Sequence, residues 1–147
     1  MSTDKNALAI SLFSEILAAD QKVRYRLTSV LPKGMEISHF YVLNHLSRST
    51  GEKSPAQLAK TFHVTKGAMT NTLSKLEWAG FIHIRPDWDD ARRKQIQISP
   101  AGKKAVEHAF AVVVPEISKI VDAIGEDKVR SAIPVLRDLR INLGDGN

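Results

Sequence analysis

Thr65, Lys66, Gly67, Thr70, Asn71, Ser74 and Lys75 alternate along the chain with Val64, Met69, Leu73 and Leu76. At 3.6 residues per turn, this spacing lays an apolar stripe along one side of a helix and leaves small polar and basic groups on the other. Such a face can hydrogen-bond base edges and attract phosphates. Asparagine pairs bidentately with adenine, threonine meets a thymine methyl or a phosphate, and lysine reaches phosphate or guanine. Backbone N–H groups at the helix start, Thr65-Lys66-Gly67, add donors aimed at an anion. The same residues also suit a merely solvated helix face, and this helix alone does not decide between the two.

Beyond that stretch, Arg85, Asp87, Asp89, Asp90, Arg92, Arg93 and Lys94 crowd one polar loop. Residues 52–104 hold ten basic side chains against five acidic ones, and the rest of the chain has eleven of each. The whole formal net charge of +5 therefore sits in the middle third. Focused positive charge, with a pI near 9.6, favours a polyanionic partner, most often nucleic acid. The competing reading is a solvated basic surface. Exposed ion pairs contribute only about 0–1 kcal/mol, so stability is a weak reason for such crowding.

Other chemistries find less support. His39, His45, His63, His83 and His108 show no helical pair at metal-ligand spacing, so no metal is expected. Pro100-Ala101-Gly102-Lys103-Lys104 lacks the upstream glycine of a phosphate loop and the Ser/Thr that follows its lysine. No glycine-flanked serine marks a nucleophile elbow. With no cysteine there is no disulfide framework, thiolate metal site or thiol redox sensing. The reading is of a binding protein without cofactor, not an enzyme.

These groups need elements to hold them. An opening helix is marked by Leu8, Leu12, Phe13, Ile16, Leu17 and Val23, and should end near Leu31-Pro32-Lys33-Gly34. A second helix should span about Ser38 to Arg48. Ser54-Pro55-Ala56-Gln57 combines an N-cap serine, proline at the first helical position and a capping-box glutamine. The short helix it starts, with Leu58, Ala59 and Phe62 inward, should break at His63-Val64. Thr65 can cap the next helix, which Gly80 ends after Ala79. Histidine tolerates a left-handed backbone, so the turn at His63 can form without glycine. The apolar period then falls to two: Phe81, Ile82 and Ile84, a charged turn, then Ile96 and Ile98, as a β-hairpin requires. Ser99-Pro100 opens another helix, expected to bend at Pro115, and Glu126 to Leu143 reads as the last.

At 147 residues, 43% hydrophobic and 25% charged, the chain suits one ordinary globular domain. Its longest clear apolar run, Ala109 to Val114, is far below the ~18–20 residues of a membrane span. Asp4, Ser11, Ser14 and Glu15 interrupt any signal-peptide core, so a cytoplasmic location is expected.

A short helix, a tight turn, a second helix and a hairpin make up a winged helix-turn-helix, whose second helix fits a major groove while the hairpin reaches a minor groove. Here the residues become specific. Leu58-Ala59, Val64 to Thr70, Leu73 to Glu77 and Ala79 to Ile82 resemble the helix-turn-helix of the MarR family of bacterial transcriptional regulators. The loop matches further, with Arg85, Asp87, Asp90-Ala91-Arg92 resembling the family's Asp-x-Arg wing signature, followed by Ile96, Ile98, Ser99, Ala101 and Gly102.

The resemblance implies a mostly α (α+β) fold in a single domain. Residues 35–102 would be the winged helix-turn-helix lobe, and 1–34 and 103–147 the dimerisation helices. It implies a homodimer on double-stranded DNA at a palindromic operator, acting as a repressor. Arg92 would read the minor groove, Asp90 would orient it, and Arg93 and Lys94 would touch phosphates. Narrow A·T-rich minor grooves concentrate negative potential, which suits arginine. A purely structural Asp90 to Arg92 or Arg93 pair is the alternative. The family's small aromatic or anionic effectors bind near the dimer helices, where Arg24, Tyr25 and His39 are candidates here. Trp88, at the wing tip, could pack on the hairpin, a sugar or a neighbouring subunit. Two other functions stay open: a nonspecific architectural DNA binder, and a small histidine-dependent enzyme.

Overall fold

Ser54 Oγ accepts from the Gln57 N–H at 3.2 Å while Gln57 Oε1 accepts from the Ser54 N–H at 2.9 Å, so the capping box is closed on both sides. Thr65 Oγ1 likewise accepts from the Ala68 N–H at 3.0 Å. These two caps start the paired helices at the centre of a computed structural model that describes residues 2–49, 53–86, 89 and 94–144 (Ser2 by its backbone alone).

The elements, in chain order, are α1 (Ser2–Val30), α2 (Ile37–Arg48), α3 (Pro55–Thr61), α4 (Lys66–Trp78), β1 (Ile82–Pro86), β2 (Lys94–Ile98), α5 (Pro100–Ile124) and α6 (Glu126–Leu143). The fold is mostly helical with one small antiparallel sheet, a winged helix-turn-helix carried between long helices. Between α3 and α4 the backbone turns through His63, the one described non-glycine residue with positive φ (53°). Its N–H donates to the Lys60 carbonyl at 3.2 Å, and the Val64 N–H donates to Ala59 at 3.0 Å. The turn thus closes on histidine, as expected.

Ile82 pairs with Ile98, Ile84 with Ile96 and Arg85 with Gln95 across the hairpin. A backbone bridge to Lys53 extends the sheet, with the Ile96 N–H donating to Lys53 O at 2.7 Å. The chain just before α3 is therefore tied to the wing. Leu43, Leu58, Leu73, Leu76, Ile82 and Ile96 are fully buried and form the centre of the lobe. Each such side chain contributes roughly 1.5–3 kcal/mol on leaving water. Phe40 adds an edge-on contact with Phe110, ring centroids 5.0 Å apart.

Ser99 joins the end of α4 to the start of α5. Its hydroxyl donates to the Gly80 carbonyl at 2.7 Å and accepts from the Gly102 N–H at 3.0 Å. A Cβ at Gly102 would run into the Phe81 carbonyl, with Ile98 Cγ1 only 2.8 Å away. Glycine is required here by packing, not by backbone angles.

One position departs from the sequence reading. Val64 precedes α4 and is 43% exposed, because Thr65 takes the cap and the buried stripe is Met69, Leu73 and Leu76 alone. Both α5 and α6 carry a proline, Pro115 and Pro134, and both run through it as single helices.

The chain divides into two compact units, residues 1–110 and 111–147. In the first, α1 exposes Leu8, Ile10, Leu12, Phe13 and Leu17. In the second, Val114, Ile117, Ile120, Ile124, Ile133, Leu136 and Ile141 are exposed, and no residue of α6 is buried.

Candidate nucleic-acid interface

With Met69, Leu73 and Leu76 buried, helical spacing turns Gly67, Asn71, Ser74, Lys75 and Trp78 away from the core. Lys66, Gly67, Thr70, Asn71, Ser74 and Lys75 are all exposed, so the predicted face is presented as one strip. Thr65 is exposed too, although its oxygen is engaged as the N-cap. Nothing but Thr65 Oγ1, at 4.0 Å, lies near a Cβ built at Gly67. The protein itself therefore gives no packing reason for glycine there.

A groove of about 480 Å³ runs between α4 and the hairpin. Thr70 and Ser74 line it from the helix, and Arg85 and Lys94 from the strands, with Glu77 the acid among them. Four of the predicted contact residues are thus brought together on one surface. Asp87, Trp88, Asp90, Arg92 and Arg93 lie outside the described residues, so the wing-tip assignments are not placed. Asp89 is exposed.

On the other flank of α4 is a cavity of about 600 Å³ between the α1–α2 connection, α4 and the start of α5. His39, Lys75, Phe81 and His108 line it. His39 is 8% exposed and accepts from the Glu36 N–H through Nδ1 at 3.2 Å. Burial holds its pKa below the usual 6.5; the Lys75 charge pushes the same way, against Glu36 and the Gly34 carbonyl. Arg24 and Tyr25 do not line this cavity. Arg24 pairs with Asp20 at 3.0 Å on the surface of α1, and Tyr25 is 79% exposed.

The sequence reading missed Trp78 and Glu36. Trp78 is 94% exposed at the end of α4, four residues beyond Ser74 and seven beyond Asn71. That spacing was the available signal. Glu36 pairs with Lys75 at 3.5 Å across two elements, which no local spacing announces. Among the described residues no cluster of three His, Asp or Glu side chains could hold a metal, and no helix is long and apolar enough to cross a membrane.

A capped helix with a polar outer strip, set beside a basic hairpin, defines the winged helix-turn-helix class. Residues 33–93 match the family model of the MarR family. It is 28% identical to the uncharacterized HTH-type transcriptional regulator YdgG of Bacillus subtilis, over 100% of this chain and 98% of that protein. It is 24% identical to the HTH-type transcriptional repressor YetL of the same organism, over 91% and 81%. A crystal structure of an E. coli MarR mutant complexed with operator DNA superposes with a TM-score of 0.76 at 23% identity, over 89% of this chain and 94% of that one.

Proposed function

We propose that this chain is a homodimeric repressor of a bacterial cytoplasm that binds a palindromic double-stranded operator and responds to a small aromatic or anionic effector. The observation that carries the reading is the exposed strip of Lys66, Gly67, Thr70, Asn71, Ser74 and Lys75 on a helix flanked by Arg85 and Lys94. In this reading α4 enters the major groove, with Asn71 at base edges and Lys66 and Thr70 at phosphates, joined by Lys75 where it is free of Glu36. Arg92 enters the neighbouring minor groove, Asp90 orients it, and Arg93 and Lys94 hold the backbone. The repressor YetL and the operator-bound MarR lend support by likeness.

Dimerisation is supported by the apolar side chains that α1 and α6 leave exposed, more than a soluble monomer ordinarily shows. The effector would occupy the cavity beside His39 and Lys75. Arg24 and Tyr25 do not line that cavity in their own chain.

Selection of bound duplexes from a randomised library tests the reading. Enrichment of an inverted repeat, half-sites about one helical turn (10–10.5 bp) apart, is expected for a two-fold dimer. Duplex binding with no enriched sequence would instead identify an architectural protein.

A further inference from the structure

Glu36 stands at the N-cap of α2 and engages two partners at once. Its carboxylate Oε1 lies 3.5 Å from Lys75 Nζ on the outward side of α4. Its N–H donates to Nδ1 of His39 at 3.2 Å. A ring nitrogen that accepts a hydrogen bond carries no proton, so the neutral ring has its proton on Nε2. That Nε2 is buried without a hydrogen-bond partner among the described residues. The charged or titratable groups around the ring are Glu36 and Lys33 from the connection, Lys75 from α4 and His108 from α5, all lining one cavity.

We propose that Glu36, His39 and Lys75 form an acid-released clasp that withholds Lys75 from DNA at neutral pH and frees it when His39 takes up a proton. The proposal rests on the reading of α4 as the DNA-contacting helix. Uptake of one proton from solvent on Nδ1 consumes the lone pair that caps the Glu36 N–H. The imidazolium then donates where it had accepted, and Glu36 is the acid among the residues lining the cavity. It also places a positive charge beside Lys75, which repels the ammonium and competes for its partner. The Lys75–Glu36 pair is half exposed on both sides, a class of ion pair weak enough for one added charge to displace it. Burial lowers the His39 pKa from 6.5, which places the release on the acid side of neutrality.

The test uses the full-length protein and a duplex enriched from a randomised library at pH 7.5. The slope of log K against log salt is measured at pH 7.5 and at pH 5.5. One freed phosphate contact steepens that slope by about 0.9. The wild type is expected to show this steepening at pH 5.5. His39→Gln keeps an acceptor in the capping-box position but cannot be protonated, and should give one slope at both pH values. Lys75→Met, at an exposed position that does not threaten folding, should do the same. Glu36→Gln should show the steeper slope already at pH 7.5. A wild-type slope that is the same at both pH values overturns the clasp. Steepening that survives in Lys75→Met also overturns it and assigns the effect to another histidine. Failure to bind any duplex at either pH removes the DNA-binding reading, and the clasp with it.

Discussion

Gly67 costs helix stability and gains nothing from its own protein. Glycine inside a helix is worth about 1 kcal/mol less than alanine, and a Cβ at this site meets nothing closer than Thr65 Oγ1 at 4.0 Å. In the proposed reading, glycine at this outward-facing site lets a DNA backbone approach closely. Gly67→Ala is therefore expected to raise thermal stability, by up to about 1 kcal/mol, while weakening duplex binding about tenfold, near 1.4 kcal/mol. Paired melting curves and titrations check this; tighter or unchanged binding by the stabilised variant would refute the contact. In the proposed reading, Asn71 and Arg92 would separate two kinds of readout. Asn71→Ala should cost about 1–3 kcal/mol on the selected operator and little on scrambled duplex, since base-edge contacts carry the sequence information. Arg92→Ala should weaken binding to both, with the greatest loss where A·T pairs flank the core. Asn71 is exposed, so its variant should melt close to the parent. If Arg92→Ala binds operator as tightly as the parent while dimeric, the wing assignment fails.

Elements decide how well those residues are held. Gly102 packs its backbone against the Phe81 carbonyl, and Ser99 bridges the same two segments. Gly102→Ala forces these apart, and overpacking of this kind costs roughly 1–3 kcal/mol. Chemical denaturation should show the loss, with reduced DNA binding following from a displaced hairpin; an unchanged midpoint would mean that the junction yields easily. The N-terminus of α2 adds a pH term. His39 has a pKa held below its unfolded 6.5, so the unfolded chain takes up its proton first as pH falls. The stability His39 contributes is whole above about pH 6.5 and is lost as pH falls through the depressed folded value. Urea midpoints at pH 7.5 and 5.5 should converge in His39→Gln relative to wild type; an equal acid loss in both would acquit His39.

The elements that local rules govern were legible in the sequence: the Ser54 and Thr65 caps, the turn at His63, the period-two hairpin and the breaks at Pro32 and Gly80. Val64 was assigned to the apolar stripe because spacing does not reveal which residue lies one step outside a cap. The Glu36–Lys75 pair was illegible for a different reason, since its members are 39 positions apart and meet only through packing. Arg24 and Tyr25 are candidates only through the family's effector position near the dimer helices, and α1 turns them to the surface of their own chain.

At the scale of the whole molecule, the exposed apolar side chains of each unit and the basic middle third all need partners. Leu8, Ile10, Phe13 and Leu17 on α1 and Ile133, Leu136 and Ile141 on α6 are exposed at fractions that a lone chain would carry at a cost in solubility. The proposed two-fold interface would cover these side chains in both copies and present two copies of α4 to one duplex. In that proposed arrangement the net charge of +5, confined to the middle third, would face the DNA twice. If six or more phosphates are neutralised, affinity should fall roughly 10³-fold or more between 50 and 200 mM salt. Sedimentation at micromolar concentration is expected to give twice the 16.3 kDa chain mass, with the steep salt dependence measured on the same preparation. A 16.3 kDa species would break the link between dimer symmetry and an inverted-repeat operator. A dimer with a shallow salt slope would instead place the basic third away from the phosphates, because counterion release follows from the charges in contact and not from the fold.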